Sequence, residues 1–346
     1  MDPELSLTHR VEMPGTESAP IPPAIFLMGP TASGKTALAC ALYERFPLGL
    51  ISVDSTLVYR GLDIGTAKPN ATILERYPHA LLDLCDPSQP YSAAKFRSDA
   101  LTAMQEITDQ GRVPLLVGGT GLYFRALERG LSPLPAADPK LRKRLTAEAL
   151  RDGWTALHAR LAQWDPLAAQ RIHASDTQRI QRALEVITLT GKPLSAQQQG
   201  GSAALPYRLL KLVLLPTDRV QLHARIAERF AVMLEQGFLD EVRGLRARKD
   251  LDASLPALRA VGYRQAWSYL SEQVGEAAFR QAALAATRQL AKRQMTWLRG
   301  ESNARRLDPF ADDLLEQAVH AVQSMLQPAH FEASAKPRTH RNGVNS

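Results

Sequence analysis

The segment from Gly29 to Thr36 reads GPTASGKT and matches the pattern G-x-x-x-x-G-K-[ST]. Backbone N–H groups of such a loop point at phosphate oxygens, its lysine reaches the terminal phosphates, and its last hydroxyl binds Mg²⁺. We therefore predict that this loop binds a phosphate chain, with Mg²⁺ as cofactor and Thr36 as its protein ligand. The predicted phosphate-binding residues are Gly29, Pro30, Thr31, Ala32, Ser33, Gly34, Lys35 and Thr36.

Asp54 follows the apolar run LGLISV, residues 48–53. Ligands of open parallel sheets bind at the carboxyl ends of the strands, so we expect Asp54 to face the phosphate loop. There it could bind Mg²⁺ through water, or accept a proton from an incoming nucleophile. An aspartate before Ser-Thr is also a common helix cap, and that structural role stays open at this point.

A third apolar run, VPLLV at 113–117, is followed by Gly118, Gly119, Thr120 and Gly121. An ATPase of this class usually ends this strand in an acidic Mg²⁺ ligand, and no acid is present here. The sequence also lacks an obvious motif for reading guanine. Thr120 beside glycines suits close approach by a substrate, although a simple tight turn explains the pattern equally well.

Two stretches of the chain are strongly basic. Residues 140–182 hold nine Lys or Arg against four Asp or Glu, and residues 288–306 hold six against Glu301 alone. Two such patches favour a long polyanion as partner, and Trp297 among the cations could stack on an unpaired base. Each patch on its own could instead be the solvated face of a helix.

Short apolar runs at 24–28, 48–53, 113–117 and 209–215 alternate with helical patterns, of which two span about 35–46 and 93–109. This alternation predicts an α/β fold, a P-loop NTPase-like parallel sheet flanked by helices. Strand-like runs vanish between residues 133 and 199, where we predict an all-helical insertion domain. The catalytic core would then comprise 24–132 and 200–310, and polar segments 1–23 and 311–346 would be flexible tails.

The 346 residues carry a net charge of +7 and 45% hydrophobic residues, enough for a large core. Cys40 and Cys85 have no metal-binding or disulfide spacing, and the chain has neither a signal-peptide pattern nor ~18 consecutive apolar residues. We expect a cytoplasmic protein with no membrane association, and a monomer, although no sequence feature addresses the oligomeric state.

Six segments together resemble, in order, the motif set of the tRNA dimethylallyltransferases, also called tRNA isopentenyltransferases. They are GPTASGKT, DSTLVYRGLDIGTAKP, LLVGGTGLY, DTQRIQRALEV, RAVGYRQ and KRQMTWLRG. The resemblance covers about residues 24–303, and the second, fifth and sixth segments are more specific than the phosphate loop. One departure is Thr56-Leu57, where the family pattern often has Met-Gln after Asp-Ser.

The resemblance implies transfer of a dimethylallyl group from dimethylallyl diphosphate to the exocyclic amine of the adenosine on the 3′ side of the anticodon. By the same resemblance, Asp54 would be the general base and Thr120 would contact the adenosine. Lys35, Thr36 with Mg²⁺, and Arg229 would neutralise the departing pyrophosphate.

The resemblance also implies which residues meet tRNA. They are Asp54, Ser55, Thr56, Leu57 and Thr120 near the base, Arg142, Gln178, Arg179, Ile180, Gln181 and Arg182 in the insertion, Arg259, Ala260, Val261, Gly262, Tyr263 and Arg264 in RAVGYR, and Lys292, Arg293, Gln294, Met295, Thr296, Trp297, Leu298 and Arg299 in KRQMTWLR. Two alternatives remain, an ATP-dependent kinase of a small molecule or nucleoside and an RNA-binding NTPase-like switch. Both use the phosphate loop, but the kinase leaves the basic patches without a role.

Overall fold

The computed structural model describes residues 21–197 and 204–327. Within them, one parallel sheet has the strand order β3-β2-β4-β1-β5-β6. Its strands are β1 (Pro23–Met28), β2 (Leu48–Val53), β3 (His79–Ala80), β4 (Val113–Gly118), β5 (Arg208–Leu214) and β6 (Ala304–Leu307). β1 therefore lies inside the sheet, and its carboxyl end carries the phosphate loop between β4 and β5.

Helices connect and cover these strands. They are α1 (Lys35–Tyr43), α2 (Ala71–Arg76), α3 (Ala93–Asp109), α4 (Gly121–Arg129), α5 (Pro139–Asp152), α6 (Trp154–Trp164), α7 (Pro166–Arg171), α8 (Thr177–Thr190), α9 (Leu194–Gln197), α10 (Arg219–Glu235), α11 (Phe238–Ala247), α12 (Tyr263–Leu270), α13 (Glu276–Arg299) and α14 (Leu314–Leu326). None of them is both long and apolar enough to cross a bilayer.

The two faces of the sheet carry separate apolar layers. Alternate residues of β1 show this, because Phe26 packs with Phe96 and Phe124 while Leu27 packs with Leu38 and the helices of the opposite face. Side chains on both faces of each central strand are thus buried. This explains why these strands read as continuous apolar runs rather than as alternating ones.

The segment between β4 and β5 contains α5 to α9 and buries an apolar cluster of its own around Leu145, Leu161 and Ile180. Aspartates begin three of its helices: Asp138, Asp165 and Asp176 accept hydrogen bonds from backbone N–H groups in the first turns of α5, α7 and α8. The insertion therefore packs as a unit apart from the sheet.

The predicted parallel α/β sheet is confirmed, with all four predicted strands present. Strands β3 and β6 were not predicted, because they are only two and four residues long. The helix expected over 35–46 ends at Tyr43, and the helix expected over 93–109 has those bounds.

The prediction of a flexible tail from residue 311 is wrong for residues 314–326, which form α14. Ala318, Ala321, Val322 and Met325 of this helix are buried against the face of the sheet that also carries α1. Their spacing is helical, and the composition of the segment obscured this periodicity. The rest of the predicted tails, 1–20 and 328–346, lies outside the described residues.

Candidate active site

The phosphate loop turns sharply between β1 and α1. Ala32 and Gly34 both have left-handed backbone angles, φ 64° and 78°. Glycine adopts this conformation freely, whereas an alanine there costs about 1–2 kcal/mol. A strained residue that the surrounding fold holds in place is typical of functional sites. The turn leads directly into the N-terminus of α1, where an anion is favoured.

Lys35, the first residue of α1, is half-buried, and its Nζ donates a hydrogen bond to the carbonyl oxygen of Pro30 at 2.6 Å. Burial lowers the pKa of Lys35 to about 8. The negative charge of Asp54 opposes this shift, and the positive charge of Arg229 adds to it. A diphosphate bound beside Lys35 would favour the charged form, so the lysine is suited to an anionic ligand that brings its own negative charge.

A cleft of about 1120 Å³, including its open mouth, runs from the phosphate loop along α10. Its polar lining includes Lys35, Thr36, Asp54, Arg229 and Gln294, and its apolar lining includes Ile226, Phe230, Met233, Phe238, Val261 and Leu290. One wall thus suits an anionic chain and the other a short apolar group. Such a combination matches a ligand with a charged head and a hydrocarbon tail.

Asp54 follows β2 and its carboxylate is fixed locally. Oδ1 accepts a hydrogen bond from the backbone N–H of Thr56 at 2.8 Å and another from its hydroxyl at 2.6 Å. The segment 55–58 is a turn and not a helix, so the helix-cap alternative is replaced by an Asx-type turn. As predicted, Asp54 lies near the phosphate loop, since both line the cleft.

Two arginines of α10 lie near the phosphate loop. Arg229 lines the cleft, and burial lowers its pKa while the charge of Asp54 counteracts the shift. Arg225, one turn earlier, stacks on the ring of Phe310 at 4.8 Å and lies next to Gly34 of the loop. The sequence interpretation missed Arg225, although its i, i+4 spacing from Arg229 could have indicated it.

Glu241 of α11 joins two segments that are distant in sequence. Its carboxylate accepts hydrogen bonds from the backbone N–H groups of Asp63, Ile64 and Gly65 at 2.9, 2.7 and 3.2 Å. It also accepts one from the Tyr263 hydroxyl at 2.5 Å. Gly65 and the next two residues line the cleft, so this carboxylate positions part of its wall. No spacing pattern pointed to Glu241.

Tyr263 is fully buried, and burial together with Glu241 raises the pKa of its hydroxyl. Its side chain is therefore turned away from the surface, and the tRNA contact expected of this segment stays a prediction. Around it, Ala260, Val261 and Gly262 line the cleft, whereas Arg259 and Arg264 are exposed. The segment 259–264 therefore lines the cleft with its middle residues and exposes an arginine at each end.

In α8, too, some of the residues predicted to contact tRNA are exposed and others face the interior. Gln178 and Arg179 are exposed, whereas Ile180 is fully buried in the insertion core and leaves the surface of this segment to its neighbours. Gln181 donates to the carbonyl of Arg142 and to the hydroxyl of Thr146.

Arg142 and Arg182 both bind the carboxylate of Glu185, whose side chain has no solvent exposure. Burial alone would raise the pKa of Glu185, but the hydrogen bonds from the two arginines outweigh burial and lower it. Each arginine side chain is still 30–40% exposed. The main contact of both arginines is thus the ion pair with Glu185 inside the protein. A count of basic residues in the sequence could not reveal this pairing.

Helix α13 presents Lys292, Arg293, Thr296 and Arg299 to solvent, while Met295 and Leu298 are buried. These two apolar side chains face the interior, so the tRNA contact predicted for this segment would involve its exposed residues. Trp297 is half-buried, its ring centroid lies 6.3 Å from that of Phe124, and its indole adjoins Gly121, so part of its ring is already in contact within the protein. Gln294 faces the phosphate loop instead of the exterior.

The remaining predicted residues near the base lie close to the cleft. Thr56 and Leu57 line it, and Thr120 binds the backbone N–H of Ser55 through its Oγ1 at 3.1 Å. Thr120 is the residue immediately before α4 and is half-buried, so the tight-turn interpretation also fits its position. The hydroxyl of Thr120 is therefore hydrogen-bonded to Ser55, the residue that follows Asp54.

The oxygen donors of the cleft fit Mg²⁺. Thr36 is exposed at the start of α1 and shares the cleft with the carboxylate of Asp54. No cluster of three His, Cys, Asp or Glu residues that could cage a metal occurs in 21–197 or 204–327. This sparse oxygen set suits Mg²⁺, which keeps several waters and is commonly held by one or two protein oxygens together with substrate phosphates.

Comparisons with known proteins identify the family of this chain. The profile of the IPP transferase family matches residues 57–301. Proteins named tRNA dimethylallyltransferase from Nitrosococcus oceani and Alkalilimnicola ehrlichii are 57% and 60% identical to this chain. The alignments cover 89% and 85% of this chain and 98% and 92% of those proteins, respectively.

Two solved structures are also similar. The tRNA isopentenylpyrophosphate transferase of Bacillus halodurans is 35% identical with a TM-score of 0.63, over 87% of this chain and 96% of that one. A eukaryotic dimethylallyltransferase acting on tRNA is 24% identical with a TM-score of 0.72, over 88% and 79%, and at that identity the likeness shows the fold alone. From the profile match and the identities, this chain belongs to the IPP transferase family.

Proposed function

We propose that this protein transfers a dimethylallyl group from dimethylallyl diphosphate to the exocyclic amine of the adenosine 3′ to the anticodon in tRNA, releasing pyrophosphate. Family membership supports prenyl transfer to tRNA. The identity of the donor is supported by the cleft. There Lys35, Arg229 and the phosphate loop adjoin the apolar side chains of Phe230 and Met233. A diphosphate with a five-carbon tail has both of these parts.

The leaving group is the first requirement of this reaction. As the bond from C1 of the donor to oxygen breaks, negative charge accumulates on the pyrophosphate. Lys35, Arg229 and the loop amides would stabilise that charge in a half-buried site, where charge interactions are stronger than in water. Mg²⁺ held at Thr36 would supply further charge neutralisation on the phosphate oxygens.

Asp54 is the proposed general base. The lone pair of an exocyclic adenine amine is delocalised into the ring, so the amine is a weak nucleophile until its proton is removed. Asp54 Oδ1 already accepts two hydrogen bonds from Thr56, which orients the carboxylate. Oδ2 would accept the proton as the new carbon–nitrogen bond forms, an effect of about 10²–10⁴ in rate.

tRNA would be held by the exposed cations of α8 and α13, among them Arg179, Lys292, Arg293 and Arg299. The target base must leave its stack to reach Asp54, at a cost of a few kcal/mol. Contacts with the tRNA backbone offset that cost. A cytoplasmic location and a monomeric state belong to this proposal as further predictions.

The test is incubation of the protein with radiolabelled dimethylallyl diphosphate, Mg²⁺ and tRNA, followed by nucleoside mass analysis. We expect label in RNA as a prenylated adenosine, and Asp54→Asn, which keeps the side-chain shape, should lose turnover while retaining tRNA affinity. The kinase alternative predicts ATP-dependent phosphorylation and no label in RNA. A non-enzymatic RNA switch predicts that Asp54→Asn leaves function intact, which would contradict the proposal.

A further inference from the structure

Gln294 lies in the basic segment KRQMTWLR, yet its side chain turns toward the catalytic cleft. Its Oε1 accepts a hydrogen bond from the backbone N–H of Thr31 at 2.8 Å, and its Nε2 donates one to the carbonyl oxygen of Gly119 at 3.1 Å. The carboxamide therefore bridges the phosphate loop and the end of β4. Its two neighbours on the outer face of α13, Lys292 and Arg293, are exposed.

The bridge depends on the glycine at position 119. A Cβ atom there would lie 2.4 Å from Nε2 of Gln294 and 3.0 Å from the carbonyl oxygen of Gly29. Gln294 thus occupies the space that any side chain at position 119 would need. The strand that ends in an acid in many ATPases ends here in a glycine, and a neutral carboxamide from α13 takes the adjacent position.

The bridge also occupies one backbone N–H group of the loop, which is then not free to bind a ligand. Pro30 has no N–H group, and the N–H of Thr31 is already bound by Gln294. The N–H of Ser33 is directed at the carbonyl of Pro30 within the loop, at 3.4 Å. Because Ala32 is held in a left-handed conformation, the shape of the loop needs support from outside the turn, and Gln294 supplies it at Thr31.

We infer that Gln294 is a positioning residue that holds the phosphate loop in the shape that receives the diphosphate, and that it is not a tRNA contact. This inference rests on the proposed function for the identity of the donor. It concerns the loop itself, so pyrophosphate binding can test it without any prenyl transfer.

The experiment measures the affinity of inorganic pyrophosphate with Mg²⁺ by calorimetry, and of tRNA by fluorescence anisotropy, both at ~0.15 M salt. Gln294→Met keeps the side-chain length but removes both hydrogen bonds, and we expect pyrophosphate to bind about tenfold more weakly. Gln294→Glu keeps the shape but places a carboxylate oxygen against the Gly119 carbonyl, so its loss should be larger. tRNA affinity should stay within about twofold of the wild type in both variants.

Arg293→Gln is the matched control on the same helix, and it should weaken tRNA binding while leaving pyrophosphate affinity unchanged. Thermal unfolding of each variant separates loss of the loop from loss of the fold. The inference is overturned if Gln294→Met binds pyrophosphate as the wild type does, or if it loses tRNA affinity as Arg293→Gln does. Failure of the proposed function gives a different result: no prenylated tRNA from the wild type, with the pyrophosphate differences still measurable.

Discussion

Thr120 Oγ1 accepts a hydrogen bond from the backbone N–H of Ser55 at 3.1 Å and thereby joins the end of β4 to the residue that follows Asp54. The family resemblance predicts that Thr120 contacts the adenosine. The observed bond gives Thr120 a role in placing the proposed base, whether or not its hydroxyl proton also reaches a substrate. The site thus depends on links between the ends of neighbouring strands.

This bond predicts a difference between two substitutions at Thr120. Thr120→Val keeps the shape but leaves the Ser55 N–H without its partner, so kcat should fall roughly tenfold because Asp54 is placed less accurately. Thr120→Ser keeps the acceptor and should retain most of the activity. Steady-state kinetics with saturating tRNA would measure both, and equal losses in the two variants would contradict the positioning role.

The pKa of Lys35 predicts how donor binding varies with pH. Burial lowers this pKa from 10.5 to about 8, so the free enzyme loses the lysine charge above pH 8. We expect kcat/KM for the donor to fall about tenfold per pH unit above that value, because the charged form binds the diphosphate. Proton uptake on pyrophosphate binding near pH 8 is the corresponding calorimetric signal.

Lys35→Arg is the control, since a guanidinium stays charged throughout this range. Its kcat/KM should be lower, owing to the different geometry, but flat between pH 7 and 10.

The lowered pKa of Lys35 also makes the free energy of unfolding depend on pH, with a defined sign. A lysine with a lowered folded pKa costs stability while it is charged, so this cost is present below pH 8 and disappears as the pH rises toward 10.5.

The sequence predicted the parts of this protein that follow from local patterns. The phosphate loop, the strand before Asp54 and the helical insertion each have a signature within about fifteen residues, and the structure contains all three. Short edge strands such as β6 lack such a signature, because four residues hold too little periodicity. The tail prediction is wrong because the polar residues beyond the helix dominate the composition of 311–346 and hide the helical spacing of Ala318, Ala321, Val322 and Met325.

At the site, the sequence located the motif segments but did not indicate the direction in which individual side chains point. A basic segment on a helix has an inner face, and Gln294, Met295 and Leu298 lie on it. Similarly, Arg182 looks like a free cation in the sequence until the fold places the buried carboxylate of Glu185 beside it. These assignments depend on contacts between distant parts of the chain, which no linear spacing contains.

The carboxylate of Glu241 predicts a link between stability and donor binding. Glu241→Gln replaces one acceptor oxygen by an NH₂ group that faces backbone N–H donors of residues 63–65, so we expect a loss of about 1–3 kcal/mol of unfolding free energy. Because this segment forms part of the cleft wall, KM for the donor should rise as well. Urea unfolding and steady-state kinetics would measure the two effects.

Tyr263→Phe is the milder companion change, because it removes only the hydroxyl donor and leaves the three backbone bonds of Glu241 in place. It should cost about 1 kcal/mol and change KM little. If Glu241→Gln were as stable and as active as the wild type, the carboxylate would have no positioning role.

Arg179 and Arg182 lie one helical turn apart, and the structure predicts different consequences for their substitution. Arg179 is 71% exposed and pairs only loosely with Asp176 at 3.3 Å, so Arg179→Ala should change the unfolding free energy by less than about 0.5 kcal/mol. If Arg179 contacts a tRNA phosphate, its removal should weaken tRNA binding and reduce the salt dependence by about one unit of log–log slope.

Arg182→Ala should instead destabilise the insertion by up to about 3 kcal/mol, because it removes one of two cations from the buried carboxylate of Glu185. Arg142 and the backbone N–H of Asp138 remain bound to that carboxylate, which limits the loss. Denaturant unfolding and tRNA titrations at two salt concentrations separate these outcomes. A stable Arg182→Ala protein with weakened tRNA binding would show that Arg182 acts mainly at the tRNA surface, against the structural role assigned by its contacts.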